Sequence, residues 1–412
     1  MAVDRSSSAS DPLAGDACAR YQAMAEVRGG EGHIATGMGR YFATEAAVRQ
    51  GLREVERFVG SFVDTSALHP DKVILPALPE PEHSRLRGIV NSVIAARHLD
   101  AALPFIRETA AQLVTESVAA AADGGPVDLV ATLADPLPTV VIAHVLGVPA
   151  ADQDRFRLWS DELLAAQGET RDGDMARMHP EFAAYVQREI DARRTAADPP
   201  DDVITRLIAA GLSDAAVCTQ TMFLIVAGNE TTRNLIGNCL RTLAESPDLY
   251  AAVRADRDLV TVVVEESLRH DSPVQLLARE VLADGPLGGC PLTRGDRVVF
   301  GIASANRDEA RFPDADEFRI DRPHPRDHLA FGTGAHVCPG AALARAEAVA
   351  VLHELCDQVA VLELDPGFVA RPNPVFWALG QRTLPCLVTP DTAVDTTAEA
   401  TREATRAADG SR

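Results

Sequence analysis

The residue types best placed to do chemistry lie in one short run, His328–Leu343, HLAFGTGAHVCPGAAL. It carries a single cysteine, Cys338, in a loop of small residues, and an alanine-rich helical pattern follows directly. Gly332, Gly334 and Gly340 allow backbone conformations closed to residues with a Cβ and let the chain approach a flat ligand closely. Phe331 adds an aromatic surface beside that backbone. A cysteine ahead of a helix N-terminus sits in positive potential, which favours thiolate over thiol. Such a thiolate is suited to be the axial ligand of a haem iron, pushing electron density across the metal. The same residues also fit a plainer description, a buried thiol in a glycine-rich loop.

Two more groups bear on the choice. His83 and Arg87 are four residues apart in a helix that starts at Pro81-Glu82, so they share a face and can grip one carboxylate. A solvated charged face would look the same. Farther on, Ser213–Glu245 reads as one long helix with Ser213 as its N-cap. Its centre is Phe223-Leu-Ile-Val226-Ala227-Gly228-Asn229-Glu230-Thr231-Thr232. Phe223, Ala227, Glu230, Thr231 and Asn234 fall at helical spacing on one face, and a carboxylate and a hydroxyl in an apolar stripe are costly unless used or paired. Thr231 is placed to bond back to a carbonyl and open the helix to water. A kink without chemistry is the alternative.

The spacing Phe331-x-x-Gly334-x-x-x-Cys338-x-Gly340 resembles the haem-thiolate signature of the cytochrome P450 superfamily. Three further motifs stand in the order that family uses: His83/Arg87, the Ala227–Thr231 turn, and Glu266-Ser267-Leu268-Arg269. The resemblance covers nearly the whole chain between its tails. It implies a mainly α fold, one large helical domain with small antiparallel β-sheets, over residues 17–390, with disordered tails at 1–16 and 391–412. It implies a haem b cofactor ligated by Cys338, with Phe331, Gly340 and Ala227 against it and His83, Arg87, Arg279 and His336 on its propionates. Glu230 and Thr231 would be the acid–alcohol pair that delivers the protons for heterolytic cleavage of the O–O bond of dioxygen. Ala227 and Gly228 would leave room for oxygen. Glu266, Arg269 and Arg322 would form a buried structural lock.

Pocket candidates are Phe223, Val226, Ala227, Val274, Leu277, Phe376, Trp377 and Ala378, mostly apolar, which predicts an apolar small-molecule substrate. The activity implied is a monooxygenase that inserts one atom of O2, with natural-product tailoring or steroid and terpenoid oxidation as its setting. A peroxygenase or rearranging haem enzyme, and a non-catalytic haem protein that recruits a partner, are the other classes. The acid–alcohol pair argues against both.

The chain sets further bounds. Net charge is −21, which argues against nucleic acid as a partner. Met1–Asp16 is polar and carries no apolar anchor, and the seven cysteines lack paired spacing, so a cytoplasmic monomer off the membrane is expected. With no room for a reductase domain, electrons would come from a separate ferredoxin and an NAD(P)H-dependent ferredoxin reductase. Arg345, past Cys338, is either a docking residue for that partner or a solvated helix residue.

The elements that must position these groups read as follows. Ala17–Val27 is a short helix, Arg40–Thr44 a strand feeding the helix Glu45–Leu52, and Asp64–Pro81 a loop. Leu158–Ala166 and Pro180–Ile190 would lid the pocket. Asp258–His270 is a helix, Pro273–Arg279 an extended segment, and Gly288–Phe300 a hairpin turning at Arg294-Gly295-Asp296. Two residues depart from the family pattern. Pro339 follows the cysteine and has no N–H to donate to its sulfur. Asn229, in the oxygen-binding turn, either bonds across the helix or faces a substrate.

Overall fold

The architecture follows from helix start signals and from apolar stripes that meet in shared cores. The computed structural model describes residues 11–391 apart from 61–64, 66, 95, 150–151, 170–172 and 373–374. The expected tails therefore lie outside the described residues at 1–10 and 392–412. At their inner edges, Pro12 is buried, Leu13 packs beside Met24 and Tyr41, and Asp391 pairs with Arg254.

The chain opens with α1 (Ala17–Gly29), whose N-cap Asp16 accepts from the Ala19 N–H. A hairpin, β1 (His33–Thr36) and β2 (Gly39–Phe42), leads into α2 (Glu45–Arg53) and β3 (Phe58–Gly60). Strand β1 was not expected, since four residues of mixed polarity give too short a pattern to read. The loop before Pro81 holds two single turns, Pro70–Lys72 and Leu75–Ala77. Gln220 clips it from below, accepting from the Leu75 N–H and donating to the Val73 carbonyl.

Helices α3 (Glu82–Val93), α4 (Ala96–Ala120), α5 (Pro136–Leu146), α6 (Gln153–Glu169), α7 (Met175–Met178), α8 (Pro180–Thr195) and α9 (Val203–Ala209) follow, with the two-residue strand β4 (Val127–Asp128) among them. The expected lid pair, α6 and α8, packs through Phe156, Trp159, Phe182 and Tyr185, whose rings lie 5.0–5.6 Å apart.

The long helix α10 (Asp214–Glu245) runs through the molecule, capped as expected by Ser213 accepting from the Ala216 N–H. Its C-terminal half is buried with Leu235, Ile236, Leu240 and Leu243 in a core shared with α4, α12 (Leu259–His270) and α14 (Ala341–Gln358). Helix α11 (Pro247–Ala255) precedes α12, and α13 (Ile302–Asn306) follows the main sheet.

That sheet adds β5 (Leu276–Val281) and β8 (Arg297–Gly301) in the order β1-β2-β8-β5-β3. Its β2 and β8 are parallel, so the sheets are not purely antiparallel; the 254 residues between Phe42 and Arg297 supply the long crossover that a parallel pair needs. Strands β6 (Gly285–Leu287) and β7 (Cys290–Leu292) form the hairpin, and its turn is Gly288-Gly289, not Arg294-Gly295-Asp296. Both glycines have positive φ, 52° and 81°, the demand of a two-residue turn that matches strand twist. In the third sheet β10 (Pro385–Pro390) lies between β4 and β9 (Val359–Leu364) and pairs antiparallel with both.

Among the described residues no helix is long and apolar enough to cross a membrane.

Candidate active site

Cys338 sits between a one-turn helix, Gly334–His336, and the start of α14. Its N–H donates to the Phe331 carbonyl at 2.8 Å, closing the loop on itself. Gly332 and Gly334 have φ of 70° and 73°, so the loop needs glycine there. A Cβ at Gly334 would also press on the Leu52 carbonyl at 3.1 Å. Gly340 differs from expectation, because its φ of −84° suits any residue and an added Cβ would meet only the Cys338 sulfur, at 3.9 Å. Glycine at 340 therefore keeps bulk away from the sulfur rather than relaxing the backbone.

Cys338 is accessible, although protein atoms crowd around its sulfur. Burial pushes its pKa up, while the N–H groups of Gly340 and Ala341 and the charges of Arg87 and Arg345 pull the other way. The helix N-terminus alone thus does not make a thiolate here. A bound metal cation would, since coordination deprotonates a thiol outright.

Four donors gather nearby. His83 on α3 stacks on His336 with ring centroids 3.8 Å apart. Glu80 accepts from His83 Nδ1 at 2.9 Å, which leaves His83 Nε2 buried without a partner among the described residues. Arg87 donates to the Val337 carbonyl, and its Nε is likewise unpartnered. Arg279 on β5 is 4% exposed, and among the described residues no carboxylate pairs with it; its guanidinium donates to the Ala278 carbonyl at 2.9 Å. Burial lowers its pKa to about 10. His336 is held to about 3 by burial and by the charges of His83, Arg279 and Arg87. Such crowding of buried donors, two of them guanidinium cations, calls for anions among them. A ligand bearing two carboxylates beside a metal, which is what haem is, fits that donor set.

On α10, Phe223, Ala227 and Thr231 are partly exposed at i, i+4 and i+8, while Val226, Asn229, Glu230 and Asn234 are buried. The expected single face is therefore split. Thr231 lies on the open side and donates its hydroxyl to the Ala227 carbonyl at 2.7 Å, the back-bond that its position suggests. Glu230 lies on the covered side. Its Oε1 accepts from Asn234 at 2.9 Å, and its Oε2 is 3.6 Å from Arg233, which in turn pairs at 2.7 Å with Asp135, the residue that precedes α5. Burial raises the Glu230 pKa against the pull of Arg233 and Asn234. Asn229 takes the first of its two alternatives: its Oδ1 accepts from Thr139 on α5 at 3.1 Å. Gly228 also serves packing on α5, since a Cβ there would press on Ile142 at 3.2 Å.

Val274 and Leu277 are half-buried, and Val274 bridges to Ala378. Of the expected trio, Ala378 is 2% exposed, Trp377 packs between two cores, and Phe376 is 46% exposed, with its carbonyl accepting from Arg20.

Glu266 is 1% exposed and accepts from Arg269 at 2.7 and 2.9 Å and from Arg322 at 2.9 Å, so the structure brings the three lock residues together. Burial would raise the Glu266 pKa, but Arg269 and Arg322 hold it below the usual carboxylate range. Arg269 also donates to the carbonyls of Asn306, Ala315 and Glu317, fastening the approach to the cysteine loop. The preceding residue, Glu265, was missed. It accepts from Arg345, His328 and Arg326, partners 80, 63 and 61 residues away, which no local spacing reveals.

The family model for cytochrome P450 matches residues 16–358. "Cytochrome P450 109" of Bacillus spizizenii is 35% identical over 75% of this chain and 78% of its own length. The "Mycinamicin IV hydroxylase/epoxidase" of Micromonospora griseorubida is 36% identical over 70% of this chain and 73% of its own. Among solved structures, CYP109E1 from Bacillus megaterium in complex with testosterone superposes with a TM-score of 0.78 at 31% identity, covering 89% of this chain and 98% of that one. The chain belongs to the cytochrome P450 family, and it is a haem-dependent monooxygenase.

Proposed function

We propose that Cys338 is the axial thiolate of the haem, that His83, Arg87, Arg279 and His336 hold its propionates, and that Glu230 and Thr231 manage the protons of the reaction. The observation that carries this reading is the set of buried donors without acidic partners, His83 Nε2, Arg87 Nε and Arg279, beside an accessible cysteine. The haem supplies the redox centre at which dioxygen is reduced. Phe331 and Gly340 border it on the cysteine side and Ala227 on the other.

The Thr231 hydroxyl, parked on Ala227, turns outward to donate a hydrogen bond into the open side of α10. Glu230 is the proton reservoir behind it. Its raised pKa brings the carboxyl nearer to neutral pH, where an acid both holds and releases a proton. Arg233 and Asn234 keep it from leaving the covered side. Glu266, Arg269 and Arg322 keep the cysteine loop in register with the rest of the fold.

The substrate is an apolar molecule of steroid size or a natural product under tailoring, bound against Phe223, Val226, Ala227, Val274 and Leu277, with Trp377, Ala378 and Phe376 at the pocket's far side. The relatives named for mycinamicin IV and crystallised with testosterone support that size class. Electrons arrive singly from a separate ferredoxin and its NAD(P)H-dependent reductase, in the cytoplasm.

Reconstitution with a ferredoxin, a reductase and isotopically labelled dioxygen tests the reading on steroids that shift the iron to high spin. One labelled atom per product molecule is expected. Unlabelled product, or equal turnover on hydrogen peroxide alone, would favour a peroxygenase.

A further inference from the structure

Glu265 and Glu266 are neighbours on α12 and serve different partners. Glu266 belongs to the lock with Arg269 and Arg322. Glu265, 1% exposed, receives Arg345 in a two-bond grip, from Nε at 2.6 Å and from Nη2 at 2.9 Å. His328 Nε2 lies 3.0 Å away and Arg326 Nε donates at 3.2 Å. The held guanidinium of Arg345 lies over the Phe331 ring, 4.5 Å from its centroid. Phe331 is the residue whose carbonyl accepts from the Cys338 N–H. Arg345 and Arg87 are the cations whose charge acts on the Cys338 sulfur. Arg345 is thus neither a free docking residue nor a solvated one.

We propose that Glu265 is a positioning residue for the thiolate: it fixes Arg345 over Phe331, offsets its charge, and so sets the ferric/ferrous equilibrium of the bound haem. The proposal rests on the reading that Cys338 ligates the iron. Reduction adds one negative charge to the centre, so a nearby cation favours the reduced form and a nearby anion opposes it. Buried charges are screened little, so both members of the Glu265–Arg345 pair are felt. Arg326, with a side chain 68% exposed, is screened by solvent and contributes little.

The test is a spectroelectrochemical titration of the haem-loaded protein and four variants, Arg345→Gln, Glu265→Gln, the two together, and Arg326→Gln. Each is first reduced under carbon monoxide, so that a red-shifted Soret band establishes thiolate ligation separately from the potential. Loss of the cation in Arg345→Gln should shift the equilibrium toward ferric by about tenfold, ~59 mV for a one-electron couple. Glu265→Gln should shift it the opposite way, and the double variant should fall between the two. Arg326→Gln should leave it where it was. A purely structural role would lower melting temperature without moving the potential in opposite directions. If Glu265→Gln does not fold, Arg345→Gln decides alone, its side chain being 23% exposed. A shift below about twofold in Arg345→Gln, or two single variants moving the same way, would overturn the proposal while the Soret band still stands for Cys338.

Discussion

The Thr231 hydroxyl donates to the Ala227 carbonyl at 2.7 Å, while the adjacent Glu230 carboxylate turns away to Asn234 and Arg233. Neighbours in sequence, the two face different directions from α10, Thr231 partly exposed and Glu230 buried. Proton transfer between them therefore needs a movement or a bridging water. Thr231→Ala should retain haem and substrate binding and lose product on the order of 100-fold, the range of general acid catalysis. Electrons should then appear as peroxide or water. Thr231→Ser should restore much of the yield. The ratio of product to NAD(P)H consumed checks both.

Arg279 gives a prediction with opposite signs in two states. Its guanidinium is buried without an acid, and its pKa is lowered to about 10, so it costs stability until a carboxylate arrives. Arg279→Met should leave the haem-free protein as stable or more so. The loaded protein should lose haem faster by about 10–100-fold, since a charge-assisted hydrogen bond contributes ~1.5–3 kcal/mol. Transfer of haem to an excess of an apoglobin measures the rate, and a melt without haem measures the other arm.

Glu347 on α14 is a third case. It is 2% exposed, its Oε2 has no partner, and burial raises its pKa well above 4.5. The folded chain then keeps a proton that the unfolded chain loses once pH passes the unfolded value. This group's contribution is fully favourable below that value and declines as pH rises toward the folded pKa. Glu347→Gln removes the decline. The variant should gain melting temperature over the parent progressively as pH rises above the ordinary carboxyl value of 4.5. A difference that stays flat with pH would contradict a neutral buried carboxyl.

How much of this could be read in the sequence depended on distance along the chain. The positive φ of Gly332 and Gly334 before Cys338, Glu266 with Arg269, and Ser213 capping α10 are set by spacings of a few residues, and the structure has them as read, whereas Gly340 needs no special φ. Thr231 bonding to Ala227 is the same kind of local relation. Glu265 was invisible because its partners come from Arg326, His328 and Arg345, beyond the loop that α12 helps to hold. Asn229 stayed ambiguous because its partner Thr139 lies 90 residues earlier. The β6–β7 turn was misplaced because two turn-forming segments, Gly288-Gly289 and Arg294-Gly295-Asp296, stand close together, and only pairing decides between them.

Pro339 bears on the iron's electronics. The N–H groups of Gly340 and Ala341 pull the Cys338 pKa down, and residue 339 has no N–H to add to them. Pro339→Leu offers one more donor, draws charge from the sulfur and should raise the ferric/ferrous potential. An unchanged or lower potential in a folded, haem-loaded variant would count against it.

The account stands on Cys338 holding the iron, and one spectrum tests that most directly. The purified protein is reduced under carbon monoxide beside Cys338→His. The parent should show the strongly red-shifted Soret band of a thiolate-ligated haem, and the variant a band typical of a neutral ligand. A neutral-ligand band in the parent itself, or the same red-shifted band in both, would contradict the assignment.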